Sequence, residues 1–140
     1  MMSDVLRELA GDRVGQVHIL GFQPWERYFA AVAASDIVAI PSLWESFCLA
    51  AVEAMALGRP VIGTRGHGFD EYIRDGENGL LVGRGEVDGL ADAIERLLDD
   101  AALRSRVGAA AERTAAELDP VKTAPLYEAA FARLTGSTDR

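Results

Sequence analysis

Cysteine is nearly missing from this sequence: Cys48 stands alone, so no internal disulfide can form, and a reducing cytoplasm is the expected compartment. No apolar stretch approaches the roughly 20 residues that span a bilayer, and the N-terminus lacks the charged, apolar and small succession of a signal peptide. Lysine is as scarce as cysteine; Lys122 is one of 14 basic residues, the others all arginine. Acids outnumber bases 22 to 14, for a net charge of −8, and no basic run or aromatic-basic stripe occurs. Tracking a phosphate backbone needs clustered cations, so the acidic balance argues against nucleic acid as a partner. Absent too are a G-x-G-x-x-G opening a helix, a P-loop, and any Cys and His spacing suited to a metal. Nicotinamide dehydrogenases, P-loop NTPases and metal sites are thereby disfavoured.

What is present fits one folded domain. At 140 residues, 49% hydrophobic and 26% charged, the chain is long enough to bury a core without staples. Short apolar runs alternate with helical patterns, the mark of βα units closing into a parallel sheet. Four runs are candidate strands: Val17 to Leu20, Ile37 to Ile40, Pro60 to Ile62 and Leu80 to Val82. Helical patterns fall at Val5 to Ala10, Trp25 to Ala34 and Phe47 to Leu57, with a shorter turn at Phe69 to Ile73. Val87, Leu90, Ala91, Ile94, Leu97 and Leu98 line one face of a helix. A second helix follows over Leu103 to Leu118 and a third around Tyr127 to Leu134, after Pro120 and Pro125, with a frayed tail from Thr135. The expected class is α/β, a Rossmann-like parallel sheet of about four strands flanked by helices. Residues 1–83 carry the βα units and 84–140 are mainly helical, within one domain. The opening helix has no strand before it, which reads as the latter part of a larger unit.

Such sheets bind ligands at the carboxyl ends of their strands. After the second strand comes Pro41-Ser42-Leu43-Trp44-Glu45-Ser46-Phe47-Cys48-Leu49, running into a helix that carries Glu53. Ser46 is a candidate N-cap, and the first-turn amides beyond it, from Phe47 through Leu49, have no partner inside the helix. Those donors and the helix dipole form an anion site that a diphosphate fits. Glu53 lies six residues past Phe47, about 9 Å along the axis at ~1.5 Å per residue, the order of the span from a diphosphate to its ribose diol. Glu45, just outside the first turn, reaches instead toward a sugar on the distal phosphate. Plain readings stand beside these: an acid near a helix start is favoured by the dipole in any protein, and Glu53 fits a solvated surface position equally.

The surrounding text goes further. Glu45 and Glu53 with seven residues between them, then Ala54-Met55-Ala56, Gly58-Arg59-Pro60-Val61, Gly68-Phe69-Asp70-Glu71-Tyr72-Ile73, and Asp75-Gly76-Glu77-Asn78-Gly79-Leu80-Leu81-Val82 occur in order. From about Asp12 to Leu98 the chain closely resembles the donor-binding, C-terminal domain of the group 1 retaining glycosyltransferases with the two-domain GT-B fold. That resemblance implies that Glu53 binds the ribose of a nucleotide-diphosphate sugar, that Glu45 faces the donor sugar as the catalytic-site acid, and that Ser46, Phe47, Cys48 and Leu49 hold the diphosphate. It also implies that the loop Phe22-Gln23-Pro24-Trp25 lines the nucleobase, through Gln23 and Trp25. No cofactor or metal is implied: the nucleotide sugar is substrate, and the Asp-x-Asp of metal-dependent single-domain transferases is absent.

The chain departs from the family in three ways. Cys48 replaces a usual glycine, and His67-Gly68 replaces a pair of glycines. The family's cationic loop has no counterpart, leaving Arg65 as a weak substitute. Cys48 is expected to be a small helix residue rather than a nucleophile, His67 an exposed loop residue and His18 a structural residue on its strand. The resemblance implies a further N-terminal domain that holds the acceptor, so the chain alone is expected to be inactive in transfer. A non-catalytic nucleotide- or protein-binding remnant is the alternative. Donor nucleotide, sugar and acceptor are not specified by these residues.

Overall fold

Three of the four apolar runs become strands, and the reason is pairing. In the computed structural model, which describes residues 2–135, β1 (Val38–Ala39), β2 (Val61–Thr64) and β3 (Leu80–Val82) form a parallel sheet in the order β1-β2-β3. Val38 lies opposite Val61, and Ile62, Gly63 and Thr64 lie opposite Leu80, Leu81 and Val82. The run at 17–20 is not a strand. Its side chains at Val17 and Leu20 are exposed, and an apolar run without a ladder partner gains nothing from extension. His18 is accordingly an exposed residue of an irregular segment, not a buried one on a strand.

The chain forms two compact units, Met1–Ala30 and Ala31–Arg140. In the first, α1 (Met2–Ala10) runs into a 3-10 turn over Gly11–Gln16. Then comes the start of α2 (Trp25–Ala34), where the Trp25 ring stacks on Phe29 with centroids 5.6 Å apart. In the second unit the sheet is covered on both faces, and β2 shows how. Val61 joins Met55, Phe69, Tyr72, Ile73, Leu81 and Ala111 in one cluster, while its neighbour Ile62 joins Leu80, Val82, Leu97, Leu103 and Val107 in another. Successive side chains point to opposite faces, so a strand apolar throughout feeds two cores at once.

Helices α4 (Val87–Asp99), α5 (Ala101–Glu117) and α6 (Pro120–Thr135) follow the sheet. Asp100 caps α5 by accepting from the Leu103 amide at 2.8 Å, and Arg104 returns to the Leu97 and Leu98 carbonyls at the end of α4. The expected break between Pro120 and Tyr127 does not occur. Asp119 accepts from the Val121 amide at 2.8 Å, Pro120 takes the first helical position, where its missing N–H costs nothing, and Pro125 is carried inside one helix. The tail beyond Thr135 falls outside the described residues. Asn78 ties the loop before β3 to α5: its amide nitrogen donates to the Tyr72 carbonyl at 2.9 Å and the Thr114 hydroxyl at 2.8 Å, while its oxygen accepts from the Arg74 amide.

Gly108 is buried in α5, and a Cβ there would overlap the Gly58 carbonyl oxygen in the turn between α3 (Leu49–Ala56) and β2. Helix propensity favours alanine over glycine by about 1 kcal/mol, whereas overpacking against backbone costs about 1–3 kcal/mol. Gly108→Ala is therefore expected to lower stability by roughly 1–2 kcal/mol, read as a lower urea midpoint. An unchanged or higher midpoint would show that α5 moves freely away from that turn.

Candidate functional site

The segment between β1 and α3 is held by its neighbours rather than by its own turns. Pairing persists one residue past β1, where the Ile40 amide donates to the Ile62 carbonyl at 2.9 Å. Ser42 then donates its hydroxyl to Glu45 Oε1 at 2.8 Å, which orients that carboxylate. The Glu45 carbonyl accepts from the Gly68 amide at 3.0 Å. Gly68 sits so close that a Cβ would overlap the Ser46 carbonyl and come within 2.7 Å of the Phe47 nitrogen. On the other side the Tyr72 hydroxyl donates to the Phe47 carbonyl at 2.6 Å, with the two rings 5.1 Å apart. The loops following β1 and β2 are thus fastened together at the carboxyl edge of the sheet.

This fastening moves the helix start. α3 begins at Leu49, not Phe47, and its N-cap is Cys48 rather than Ser46. Cys48 lies at φ +66°, ψ +81°, a left-handed conformation that costs a side-chain-bearing residue about 1–2 kcal/mol. The Ser46 and Phe47 backbone is committed to Gly68 and Tyr72, so the reversal into the helix falls on the next residue. The Cys48 side chain enters the helix mouth, with its sulfur against the Ala50 and Ala51 amides and hydrogen-bonded to Glu45. Burial pushes the thiol pKa up; the Glu45 charge and hydrogen bond add to the rise, and the two amides oppose it. Tyr72 is also pushed up, first by burial and then by the nearby Cys48 and Glu45.

Glu53 is half-buried on α3, four residues past Leu49, about 6 Å along the axis rather than the 9 Å expected from Phe47. The core face of that helix is Ala51, Ala54 and Met55, so Glu53 lies off it. Glu45, Ser46, Phe47, Cys48 and Leu49 are contiguous at the helix entrance. Gln23, which donates to the Leu20 carbonyl, and Trp25 belong to the first unit. Among the described residues, no group of three His, Cys, Asp or Glu side chains comes together as a metal site, and no helix is long and apolar enough to cross a membrane.

Arg65 is not available as a counter-charge. Its guanidinium pairs with Asp75 at 2.7 Å and donates to the Leu81 carbonyl at 3.1 Å. His67 is half-buried rather than exposed: its Nε2 accepts from the Arg84 guanidinium, and the Trp44 ring stands edge-on to it at 6.3 Å. Residue-by-residue reading missed Arg84, Trp44, Ser42 and Tyr72. The first three follow strand ends, and that rule was the signal available for them.

The pattern of the family described as glycosyl transferases group 1 matches residues 4–114. The chain belongs to that family. It is 43% identical over 108 residues to D-inositol 3-phosphate glycosyltransferase of Corynebacterium aurimucosum, covering 77% of this chain and 25% of the relative. Lipopolysaccharide core biosynthesis glycosyltransferase LpsE of Rhizobium meliloti is 40% identical over 106 residues, 74% of this chain and 31% of its own. Among solved structures, Anabaena Alr3699/HepE in complex with UDP has a TM-score of 0.81 at 29% identity, over 94% of this chain and 37% of that one. The chain therefore spans about a quarter to a third of the length of these relatives.

The contact of Glu45 with the Cys48 sulfur has a measurable consequence. The folded thiol stays protonated where a free thiol ionises, so its alkylation profile is expected to lie at higher pH than that of the unfolded chain. Glu45→Gln should move the profile down; overlap with the wild type would exclude the contact. The linkage has a definite sign. A raised folded pKa contributes stability that is whole below the unfolded value, and for Cys48 and Tyr72 this is lost as pH climbs above about 8.5 and then 10.

Proposed function

We propose that residues 1–140 form the latter part of a single donor-binding domain of a retaining glycosyltransferase, which moves a sugar from a nucleotide-diphosphate sugar to an acceptor hydroxyl. The observation that carries this reading is the pair of acids flanking the entrance of α3 in a group 1 chain, Glu45 before it and Glu53 one turn inside, at the carboxyl edge of a parallel sheet. A relative in the same fold solved with UDP supports a nucleoside diphosphate as the leaving group.

In this reading Glu53 accepts hydrogen bonds from the two ribose hydroxyls, which a carboxylate does with both oxygens. The Leu49 amide, together with the helix dipole, stabilises the diphosphate as its charge grows on departure. Glu45, fixed by the Ser42 hydroxyl, addresses the sugar beside the bond that breaks. Ser46, Phe47 and Cys48 shape the phosphate cradle. Retention follows when the donor's own phosphate oxygen guides the acceptor hydroxyl to the face from which it departs. That geometry needs a closed cleft, whose other wall and acceptor come from protein beyond these residues. No cofactor or metal enters the scheme, and the reducing cytoplasm suits the single thiol.

Calorimetry with UDP and GDP tests the donor site. The chain is expected to bind one of them, and Glu53→Gln to weaken that binding roughly tenfold, the loss of one or two charge-assisted hydrogen bonds. Unchanged affinity would remove Glu53 from the ribose. No binding of either at millimolar concentration would leave the non-catalytic remnant as the better reading. A second outcome concerns turnover: the 140-residue polypeptide alone is expected to transfer no detectable label from a radiolabelled nucleotide sugar, and measurable transfer would show that one wall of the cleft suffices.

A further inference from the structure

A concave site of different character lies at the edge of the sheet opposite the α3 entrance. It is a cavity of about 290 Å³, near the ~300 Å³ lower bound of ordinary ligand sites, and Asp36, Arg59, Pro60, Ala101, Arg104 and Ser105 are among its lining residues. Asp36 stands two residues before β1 and Pro60 directly before β2, so the cavity sits at the amino edge, with the start of α5 as one wall. In a chain of net charge −8, its bases outnumber its acids two to one. A cavity of about 250 Å³ between β3 and α4 carries the reverse balance, with Asp75, Glu86 and Asp92 against Arg96.

Both guanidiniums in the first cavity are fixed by backbone carbonyls. Arg59 donates through Nε to the Leu57 carbonyl at 3.1 Å and through Nη1 to the Ser35 carbonyl at 3.0 Å. Arg104 donates through Nη1 to the Leu97 and Leu98 carbonyls at 2.7 and 2.9 Å. Those carbonyls lie at the ends of α2, α3 and α4, where helix dipoles gather negative charge, and the arginines answer it. The Asp36 carboxylate, 3.9 Å from Arg104 Nε, is largely in solvent and offsets little more. Among the described residues, neither Nη2 nor the Ser105 hydroxyl makes a hydrogen bond. No buried polar side-chain atom among them lacks a partner, so both Nη2 groups are accessible.

We propose that this cavity binds a phosphate group, held between Arg59 and Arg104 with the Ser105 hydroxyl donating from α5. The unengaged groups are donors suited to phosphate oxygens, and the two cations are already ordered by their carbonyl contacts. Little side-chain freedom is therefore lost when an anion arrives. The phosphate is either the free ion or the head of a small phosphomonoester. The site shares no residue with the α3 entrance, so it stands or falls independently of the donor reading.

The test is an NMR titration of the full nitrogen-labelled chain with inorganic phosphate and with glycerol 3-phosphate. Saturable shifts are expected at the Ala101 and Ser105 amides and at the Arg59 and Arg104 Nε–H signals. Arg59→Gln is expected to weaken phosphate roughly tenfold. Because both arginines also hold helix ends, a variant that spares them is decisive. Ser105→Asp puts a carboxylate at an exposed position of the cavity wall and should also weaken binding roughly tenfold, with the melting temperature unchanged. Ala116→Asp adds the same charge about 16 Å further along α5, beyond the ~10 Å Debye length at 0.1 M salt, and should weaken binding less than about twofold. Tighter binding of glycerol 3-phosphate assigns the ester, and equal binding the free ion; both uphold the site. Shifts confined to the Leu49 amide and its neighbours would overturn it, as would wild-type affinity in Ser105→Asp. No saturation at tens of millimolar phosphate, or equal losses in Ser105→Asp and Ala116→Asp, would do the same.

Discussion

The contact between Gly68 and the Ser46 carbonyl is the constraint on which the site depends. With a hydrogen in place of a side chain, the loop after β2 lies directly on the backbone of the loop after β1, and the Glu45 carbonyl is taken up by the Gly68 amide. A three-stranded sheet of short strands has little rigidity at its rim, because each strand ends within a residue or two of its last hydrogen bond. Joining two rim loops converts separate excursions of the chain into one body. Tyr72 closes the other side through the Phe47 carbonyl. Glu45, the α3 entrance and His67 owe their mutual positions to this fastening rather than to any one turn.

The same constraint explains the backbone at Cys48. A helix that started at Phe47 would need that residue's carbonyl pointing along the axis, but Tyr72 holds it outward. The turn into α3 is compressed into one left-handed residue. A glycine would adopt that conformation freely; here a side chain pays its cost and fills the space it enters. The helix mouth holds a thiol whose ionisation is opposed by burial and by its acidic neighbour.

The sequence made legible whatever depends on neighbours within a turn or two. The α4 face repeats its apolar residues at helical spacing, and the strands before Pro41 and Gly63 are short and apolar on both sides, so their places follow from periodicity. Glu53 falls on α3, but two residues nearer the start of that helix than the spacing implied. What escaped depends on contacts across the fold. Ser46 has the chemistry of a cap, yet its backbone is claimed by Gly68, twenty-two residues on. Val17 to Leu20 has the composition of a strand but no partner. Arg84 and His67 meet across the ends of two strands, and neither residue carries a local sign of the other.

Asn78 has a chemical consequence beyond its role in packing. It precedes Gly79, and an asparagine followed by glycine is the dipeptide most open to slow conversion of its amide to a carboxylate, since the small neighbour lets the backbone nitrogen close on the side chain. Here the amide nitrogen is bound to the Tyr72 carbonyl and the Thr114 hydroxyl, which restrains that ring closure. If conversion occurred, an oxygen would replace the donor and face the Tyr72 carbonyl, and a charge would arise in a nearly sealed site. Ageing of the protein at this one atom would detach α5 from the segment that leads into β3, and the same hydrogen bonds that stitch the fold together are its preservative.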